Sequence, residues 1–263
     1  MSRTLTVPVA FLIVILSVFS ALIIASIFSA LDPSILDGTT PSLSTYISMF
    51  VGQSFLIVPV LIYLNKKGAP ILDSLRINII SKKTASAALI LSLGAMVISD
   101  EINILIEKII PAPESFLQLE ALLTPENPIS MIILIITIVI LAPVGEELLF
   151  RGFLQKFLEK TWGDVTKAIL ISSLFFAAIH FNPYWLIQIY FLGILLGYIA
   201  WKTESVIPAI IFHVVINGSS LLFTHLGESL ESTLLWNGHV NPVILILGGY
   251  CFFTGMKQIQ GVS

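Results

Sequence analysis

The sequence predicts an all-α fold, a polytopic bundle of about eight transmembrane helices in an integral membrane protein. Of its 263 residues, 56% are hydrophobic and only 11% are charged, whereas an ordinary soluble domain carries about 25% charged residues. The mean hydropathy is +0.99. A net charge of −3 offers no basic footprint for nucleic acid, and a single cysteine, Cys251, excludes an internal disulfide.

Eight apolar runs are the candidate membrane spans. A hydrocarbon core of about 30 Å needs roughly 20 helical residues, because backbone polar groups in lipid must bond to one another. The first run is longer than the roughly 7–15 apolar residues of a signal peptide, so we expect it to remain as an anchor. The runs are Val7–Leu31, Leu43–Leu64, Ala85–Ile110, Ile129–Phe157, Val165–Phe181, Tyr184–Trp201, Val206–Phe223 and Val243–Met256.

The basic residues predict that both termini face the cytoplasm (N-in/C-in). Cytoplasmic loops carry an excess of lysine and arginine, and eight crossings put every basic residue except Lys108 on that side. The longest outer connection, Pro111–Pro128, is acidic, and Ser115–Leu123 is its candidate interfacial helix. The residues on the predicted inner side are Arg3, Lys66, Lys67, Arg76, Lys82, Lys83, Arg151, Lys156, Lys160, Lys167, Lys202 and Lys257.

The fourth run carries two adjacent glutamates followed by an arginine. Glu147 and Arg151 are four residues apart with the acid first, which favours an ion pair within one helix. Glu146 lies about 100° around the helix from Glu147, and no basic residue occupies its own i±3 or i±4 positions. We therefore expect Glu147 and Arg151 to form a structural pair, while Glu146 stays free as a general base or acid.

Three more polar side chains are expected at the depth of Glu146. Counting 1.5 Å per residue from the nearest flanking lysines places Glu146 roughly 15–21 Å deep and His180 roughly 20 Å deep. The same count places His213 and Asn217 at roughly 16 and 22 Å, and their i, i+4 spacing puts both on one helical face. Four polar side chains from three helices at one depth predict a functional site in the bundle.

Other polar and small residues receive less specific interpretations. His225 and His239 are assigned to the outer side as solvated residues, and Asp100 and Glu101 to the outer interface. The Gly193-x-x-x-Gly197 pair predicts close helix packing.

The four residues suit peptide hydrolysis without a protein nucleophile. Glu146 and His180 would deprotonate a water, and His213 and Asn217 would donate hydrogen bonds to the oxyanion. No Gly-x-Ser-x-Gly elbow occurs. A zinc ion held by Glu146, His180 and His213 is an open alternative, although the HExxH signature is absent. A non-catalytic scaffold and a transporter that uses Glu146 as its proton carrier also remain open.

Three motifs on successive apolar helices resemble the type II CAAX prenyl endopeptidase family. They are Glu146-Glu147-x-x-x-Arg151, Phe176-x-x-x-His180 and His213-x-x-x-Asn217. This CPBP or Abi group of intramembrane proteases includes bacteriocin-immunity and lysostaphin-resistance proteins. The resemblance implies that Glu146 activates water with help from His180, that His213 and Asn217 stabilise the oxyanion, and that Glu147 and Arg151 form the structural pair.

The resemblance also implies a domain organisation and partners. Residues 1–128 would hold N-terminal transmembrane helices and the acidic outer loop, residues 129–223 the CPBP-like protease core, and residues 224–263 an outer loop and the last transmembrane helix. We expect a multi-pass protein of the plasma membrane, in contact with membrane lipid. Its substrate would be a peptide or protein, lipidated in the eukaryotic relatives, and no nucleic acid is expected as a partner. The alternative function is a scaffold or immunity-type binding protein.

Overall fold

The computed structural model describes residues 5–30, 41–111, 113 and 122–262, with backbone alone for residues 226–232. Within these residues the chain forms ten helices and one small hairpin. The helices are α1 (Val7–Ala30), α2 (Leu43–Phe55), α3 (Val58–Lys66), α4 (Ile71–Ser74), α5 (Lys82–Ile109), α6 (Pro128–Trp162), α7 (Val165–Ala178), α8 (Leu186–Lys202), α9 (Ile207–Leu234) and α10 (Pro242–Gln260), and the antiparallel strands are β1 (Leu235–Trp236) and β2 (His239–Val240).

Capping residues set several of the helix ends. The Asp164 side chain accepts a hydrogen bond from the Lys167 amide at the start of α7, and Asn127 and Asn241 each precede a proline at the first position of α6 and α10. Proline suits that position because its missing N–H has no partner in a first helical turn. Gly163 ends α6 in the left-handed conformation, with φ of 63°, which glycine adopts without steric cost.

Six helices are long and apolar enough to cross a membrane, counted over the described residues: α1, α2 with α3, α5, α6, the Ile207–His225 part of α9, and α10. Helices α7 and α8 occupy the fifth and sixth predicted spans, but they have only 14 and 17 residues. At 1.5 Å per residue they are about 21 and 25 Å long, which is less than a hydrocarbon core of about 30 Å. The fold is an all-α polytopic membrane protein, while the count of eight and the N-in/C-in orientation stay predictions.

The outer surfaces of several helices are apolar. Exposed hydrophobic side chains are concentrated on α1, α5 and α10, among them Phe19, Leu93 and Phe253. On its other face α1 packs into the bundle, with the ring centroids of Phe11 and Phe175 4.5 Å apart. Lipid-facing apolar surface on one side and packed core on the other is the arrangement that the composition predicts.

Glycines bring α5 and α10 into close contact. A methyl group on Gly94 would lie 2.2 Å from the backbone nitrogen of Phe252, and one on Gly255 would lie 2.6 Å from the backbone nitrogen of Leu91. Small residues allow helix backbones to approach in this way in membrane proteins. These two helices form the side of the bundle next to α8.

Helix α6 alternates between α-helical and π-helical turns. The π turns at Ile136–Leu141 and Leu148–Gln155 flank the short α-helical stretch Ala142–Glu147, which carries both glutamates. Side chains four apart on an α-helix drift around the axis by about 40° per step, and the wider π turns offset this drift. Residues at four-residue intervals along α6 therefore keep facing the same neighbour.

A polar ladder on α6 faces the two glycines of α8. Arg151 Nη2 donates to the Gly193 carbonyl at 3.0 Å, and Gln155 Nε2 donates to the Gly197 carbonyl at 2.9 Å. A methyl group on Gly197 would lie 2.7 Å from Gln155 Oε1. The glycine pair thus lets α6 and α8 pack closely, as predicted. Polar side chains of α6 can therefore bond to backbone carbonyls of α8.

The loop between α3 and α5 is tied to α6 by an ion pair. Arg76 is only 2% exposed, and its guanidinium is paired with Glu159. Gln155 Nε2 also donates to Glu159, at 2.8 Å. The charge of Arg76 predicts a place in a loop between spans, and the structure shows that this loop residue is buried.

On the opposite side, the hairpin is fixed to α5. Asn237 and Gly238 both have positive φ, 52° and 73°, as a two-residue hairpin turn requires. His239 Nδ1 lies 2.7 Å from Glu101 Oε1, and its Nε2 lies 2.6 Å from Lys108 Nζ. His239 is therefore bonded to α5 as well as partly exposed. Residues 115–121 of the predicted interfacial helix lie outside the described residues.

Candidate active site

The four predicted site residues line one cavity of about 420 Å³ inside the bundle. Glu146 comes from α6, His180 from the turn after α7, and His213 and Asn217 from α9. The rest of the wall is mostly apolar. It consists of Asn103, Leu123, Ile138, Ala142, Phe176, Trp185, Gln188, Ile189, Leu192, Leu196, Phe212, Ile216, Ser220 and Leu221.

Glu147 contacts two partners through one oxygen. Its Oε1 accepts a hydrogen bond from Arg151 Nη1 at 2.9 Å and another from His213 Nδ1 at 3.0 Å, and the side chains of Glu147 and Arg151 are both 0% exposed. Among the described residues, Glu147 Oε2 and Arg151 Nε have no hydrogen-bond partner. Glu147 therefore forms the ion pair that its spacing predicts. It also accepts a hydrogen bond from His213, which the spacing did not predict.

Phe176 connects the ion pair to both histidines. The guanidinium carbon of Arg151 lies 4.1 Å from the Phe176 ring centroid, a cation–π contact. The same ring meets the rings of His180 and His213 edge-on, at centroid distances of 5.0 and 5.8 Å. Since Phe176 is only 2% exposed, the two imidazoles pack against a fixed apolar wall.

The hydrogen bond of His180 decides which ring nitrogen faces the cavity. Its Nδ1 lies 2.8 Å from the Phe176 carbonyl oxygen, and a carbonyl can only accept, so Nδ1 carries the hydrogen. In the neutral ring Nε2 is then unprotonated and free to accept a proton. His180 is thus arranged as a base.

His213 and Asn217 each donate one hydrogen bond to α6. His213 uses Nδ1 on Glu147, which leaves Nε2 3.9 Å from Glu146 Oε2. Asn217 Nδ2 donates one hydrogen to the Ile138 carbonyl, at 3.0 Å, in the first π turn of α6. An amide nitrogen has two hydrogens, so the second stays available to a group in the cavity.

Glu146 has a partner that sequence analysis missed. Its side chain is 13% exposed, and Gln53 Nε2 on α2 lies 3.4 Å from its Oε1. A glutamine in an apolar span indicates a polar contact with a neighbouring helix, because such side chains form hydrogen bonds between helices in membranes. The partner itself depends on how α2 lies against α6, and the sequence does not give that register.

The predicted zinc ligands can be compared with this geometry. Both histidines use Nδ1 in hydrogen bonds, so only Nε2 of each could bind a metal. Over the part of the chain that the structure describes, no three His, Cys, Asp or Glu side chains form a group that could hold a metal ion. A zinc ion at this place would have to be held by Nε2 of both histidines and by the Glu146 carboxylate.

A second, apolar cavity adjoins the first. Its volume is about 710 Å³, and it lies between α5, α8 and α10. Gln188 and Leu192 line both cavities. Gln188 Nε2 donates to Ser99 Oγ on α5 at 2.7 Å. This hydrogen bond therefore lies where the two cavities meet.

Residues 128–219 match the family model described as Type II CAAX prenyl endopeptidase Rce1-like. The match contains all three motifs, from Glu146 to Asn217, and confirms the resemblance for that part of the chain. No curated protein and no solved structure was found to match the sequence.

Proposed function

We propose that the Rce1-like domain at residues 128–219 is a membrane-embedded endopeptidase that hydrolyses peptide bonds near or within the membrane by a glutamate-activated water. One observation carries this proposal: Glu146, His180, His213 and Asn217, from three helices, line a single cavity of about 420 Å³. Among the described lining residues the one hydroxyl is that of Ser220, and the polar contacts of His180, His213 and Glu146 do not include it.

In the first step, Glu146 takes a proton from a water as the water oxygen attacks the peptide carbonyl carbon. His180 assists through its unprotonated Nε2, since its Nδ1 hydrogen is bonded to the Phe176 carbonyl. The C–N bond then breaks and the leaving nitrogen receives the proton. The products are a new carboxyl group and a new amine.

The oxyanion of the tetrahedral intermediate is stabilised by the second Asn217 Nδ2 hydrogen and by Nε2–H of His213 in its protonated form. Glu147 orients the His213 ring because its carboxylate accepts the Nδ1 hydrogen. Arg151 balances the charge of Glu147 in turn. The ion pair thus acts on the reaction through the orientation of His213.

The substrate is a peptide or membrane protein with an apolar segment beside the scissile bond. This follows from the apolar cavity of about 710 Å³ next to the site, whose walls suit hydrocarbon, including a lipid chain attached to the substrate. Membrane lipid surrounds the bundle on its apolar faces. The plasma membrane is the proposed location.

Purified protein in detergent, incubated with membrane-anchored and C-terminally prenylated peptides, tests the proposal. Mass spectrometry of the products should find new termini at one peptide bond, and a zinc chelator should leave the rate unchanged. Loss of cleavage on chelation, restored by zinc, would assign Glu146, His180 and His213 to a metal. Binding of these peptides by folded protein without any cleavage would instead support the non-catalytic scaffold.

A further inference from the structure

The hydrogen-bond donor to Glu146 comes from outside the matched domain. Gln53 Nε2 lies 3.4 Å from Glu146 Oε1, and Gln53 precedes residues 128–219 by a wide margin. The other close group is His213, whose Nε2 is 3.9 Å from the second carboxylate oxygen. Each oxygen of Glu146 therefore faces a different helix.

A break in the second span brings Gln53 to this position. Helix α2 ends at Phe55 and α3 starts at Val58, with Pro59 in its first turn. Leu56, in the break, is only 4% exposed. A methyl group on Gly145 would lie 3.5 Å from Leu56 Cδ2, in ordinary contact. The end of α2 is thus packed against the residue that precedes Glu146, and this contact sets the register of Gln53.

Gln53 supports Glu146 without reaching the substrate. Over the described residues, the cavity wall includes Glu146 and does not include Gln53. An amide N–H bonded to Oε1 fixes the rotation of the carboxylate, and this keeps Oε2 on the side of His213 and the cavity. At 3.4 Å the bond is longer than the usual 2.7–3.2 Å range for N–H···O, and such contacts often tighten when substrate binds.

We propose that Gln53 is a positioning residue that orients the Glu146 carboxylate, so that a helix outside the Rce1-like domain completes the active site. This inference rests on the proposed peptidase function. It predicts that the domain at residues 128–219 needs α2 for full activity, because small errors in the placement of a reacting group have large effects on rate.

The first test compares Gln53→Met with wild type on a peptide that wild type cleaves. Methionine keeps the length and apolar stem of the side chain but has no N–H. We expect kcat to fall about tenfold, while KM stays within about twofold and the melting temperature is unchanged. Ser54→Ala is the matched control, because Ser54 bonds only to the Phe50 carbonyl of its own helix in the described structure. A kcat for Gln53→Met equal to that of the control, or a change in KM alone, would overturn the inference.

A second test does not depend on activity. Gln53→Cys and Glu146→Cys are combined in a Cys251→Ser background and treated with a short bifunctional thiol reagent. We expect an intramolecular cross-link for this pair and none for Ser54→Cys with Glu146→Cys. Absence of the 53–146 cross-link in folded protein would contradict the placement of Gln53. If wild type cleaves no peptide while the double-cysteine variant gives the cross-link, the result would count against the peptidase and leave Gln53 as the partner of Glu146.

Discussion

His213 Nδ1 lies 3.0 Å from Glu147 Oε1, the same oxygen that accepts a hydrogen bond from Arg151. This contact joins the two motifs that sequence analysis had treated as separate, the structural ion pair and the oxyanion site. It makes Glu147 the residue that sets the orientation of His213, with Arg151 as the cation that stabilises Glu147 in a fully buried position.

Arg151→Ala should lower folded yield and thermal stability more than Glu146→Ala. It leaves Glu147 as an unpaired buried charge, and breaking a buried pair costs about 3–5 kcal/mol. It also removes the bond to the Gly193 carbonyl and the contact with Phe176. Size-exclusion chromatography and a melting curve in detergent measure both quantities.

The comparison has a control in Lys156→Ala. Lys156, 13% exposed, pairs with Asp73, whose side chain is 71% exposed. Since Asp73 stays in contact with solvent, loss of Lys156 leaves no buried unpaired charge, and we expect a smaller loss of stability than for Arg151→Ala. Equal losses for Arg151→Ala and Glu146→Ala would count against the pairing of Glu147 with Arg151.

Gly94→Ala should destabilise the bundle strongly. Its new methyl group would lie 2.2 Å from a backbone atom of α10, so the two helices would have to separate. Gly249→Ala is the matched control, because the same construction on Gly249 meets no atom of the described structure within 4 Å. Alanine also favours a helix over glycine by about 1 kcal/mol. Similar melting temperatures for the two variants would argue against the close packing of α5 and α10.

Thiol labelling tests the depth of the site. In a Cys251→Ser background, Glu146→Cys should react slowly with a membrane-impermeant maleimide, because the side chain at this position is 13% exposed and lines the cavity between helices. Lys160→Cys, at an exposed position near the end of α6, should react quickly. If both react at the same rate, Glu146 is at the membrane surface rather than inside the bundle.

Local spacing predicted the parts of the site that lie within one helix. The Glu147–Arg151 pair and the shared face of His213 and Asn217 follow from an i, i+4 interval, which fixes geometry without knowledge of the fold. The common depth of Glu146 and the two histidines is a prediction from helical rise and flanking lysines, and the thiol labelling tests it.

Residue spacing within a helix could not predict the contacts between helices. The bond of Gln53 to Glu146 and the burial of Arg76 against Glu159 depend on the register of packed elements. Helices α7 and α8 are shorter than spans of full length, because α7 ends at Ala178 and the chain then turns through His180 into the cavity. An apolar run in the sequence does not show where such a turn begins.

The most direct measurement is the rate of peptide cleavage by wild type, Glu146→Gln and Glu126→Gln, purified and folded to the same extent. Glutamine keeps the size of the side chain but cannot take a proton from water, and Glu126 is an exposed glutamate outside the candidate site. The account predicts cleavage by wild type and Glu126→Gln, with a loss of at least about 100-fold in Glu146→Gln. Cleavage by Glu146→Gln at the wild-type rate would contradict a glutamate-activated water.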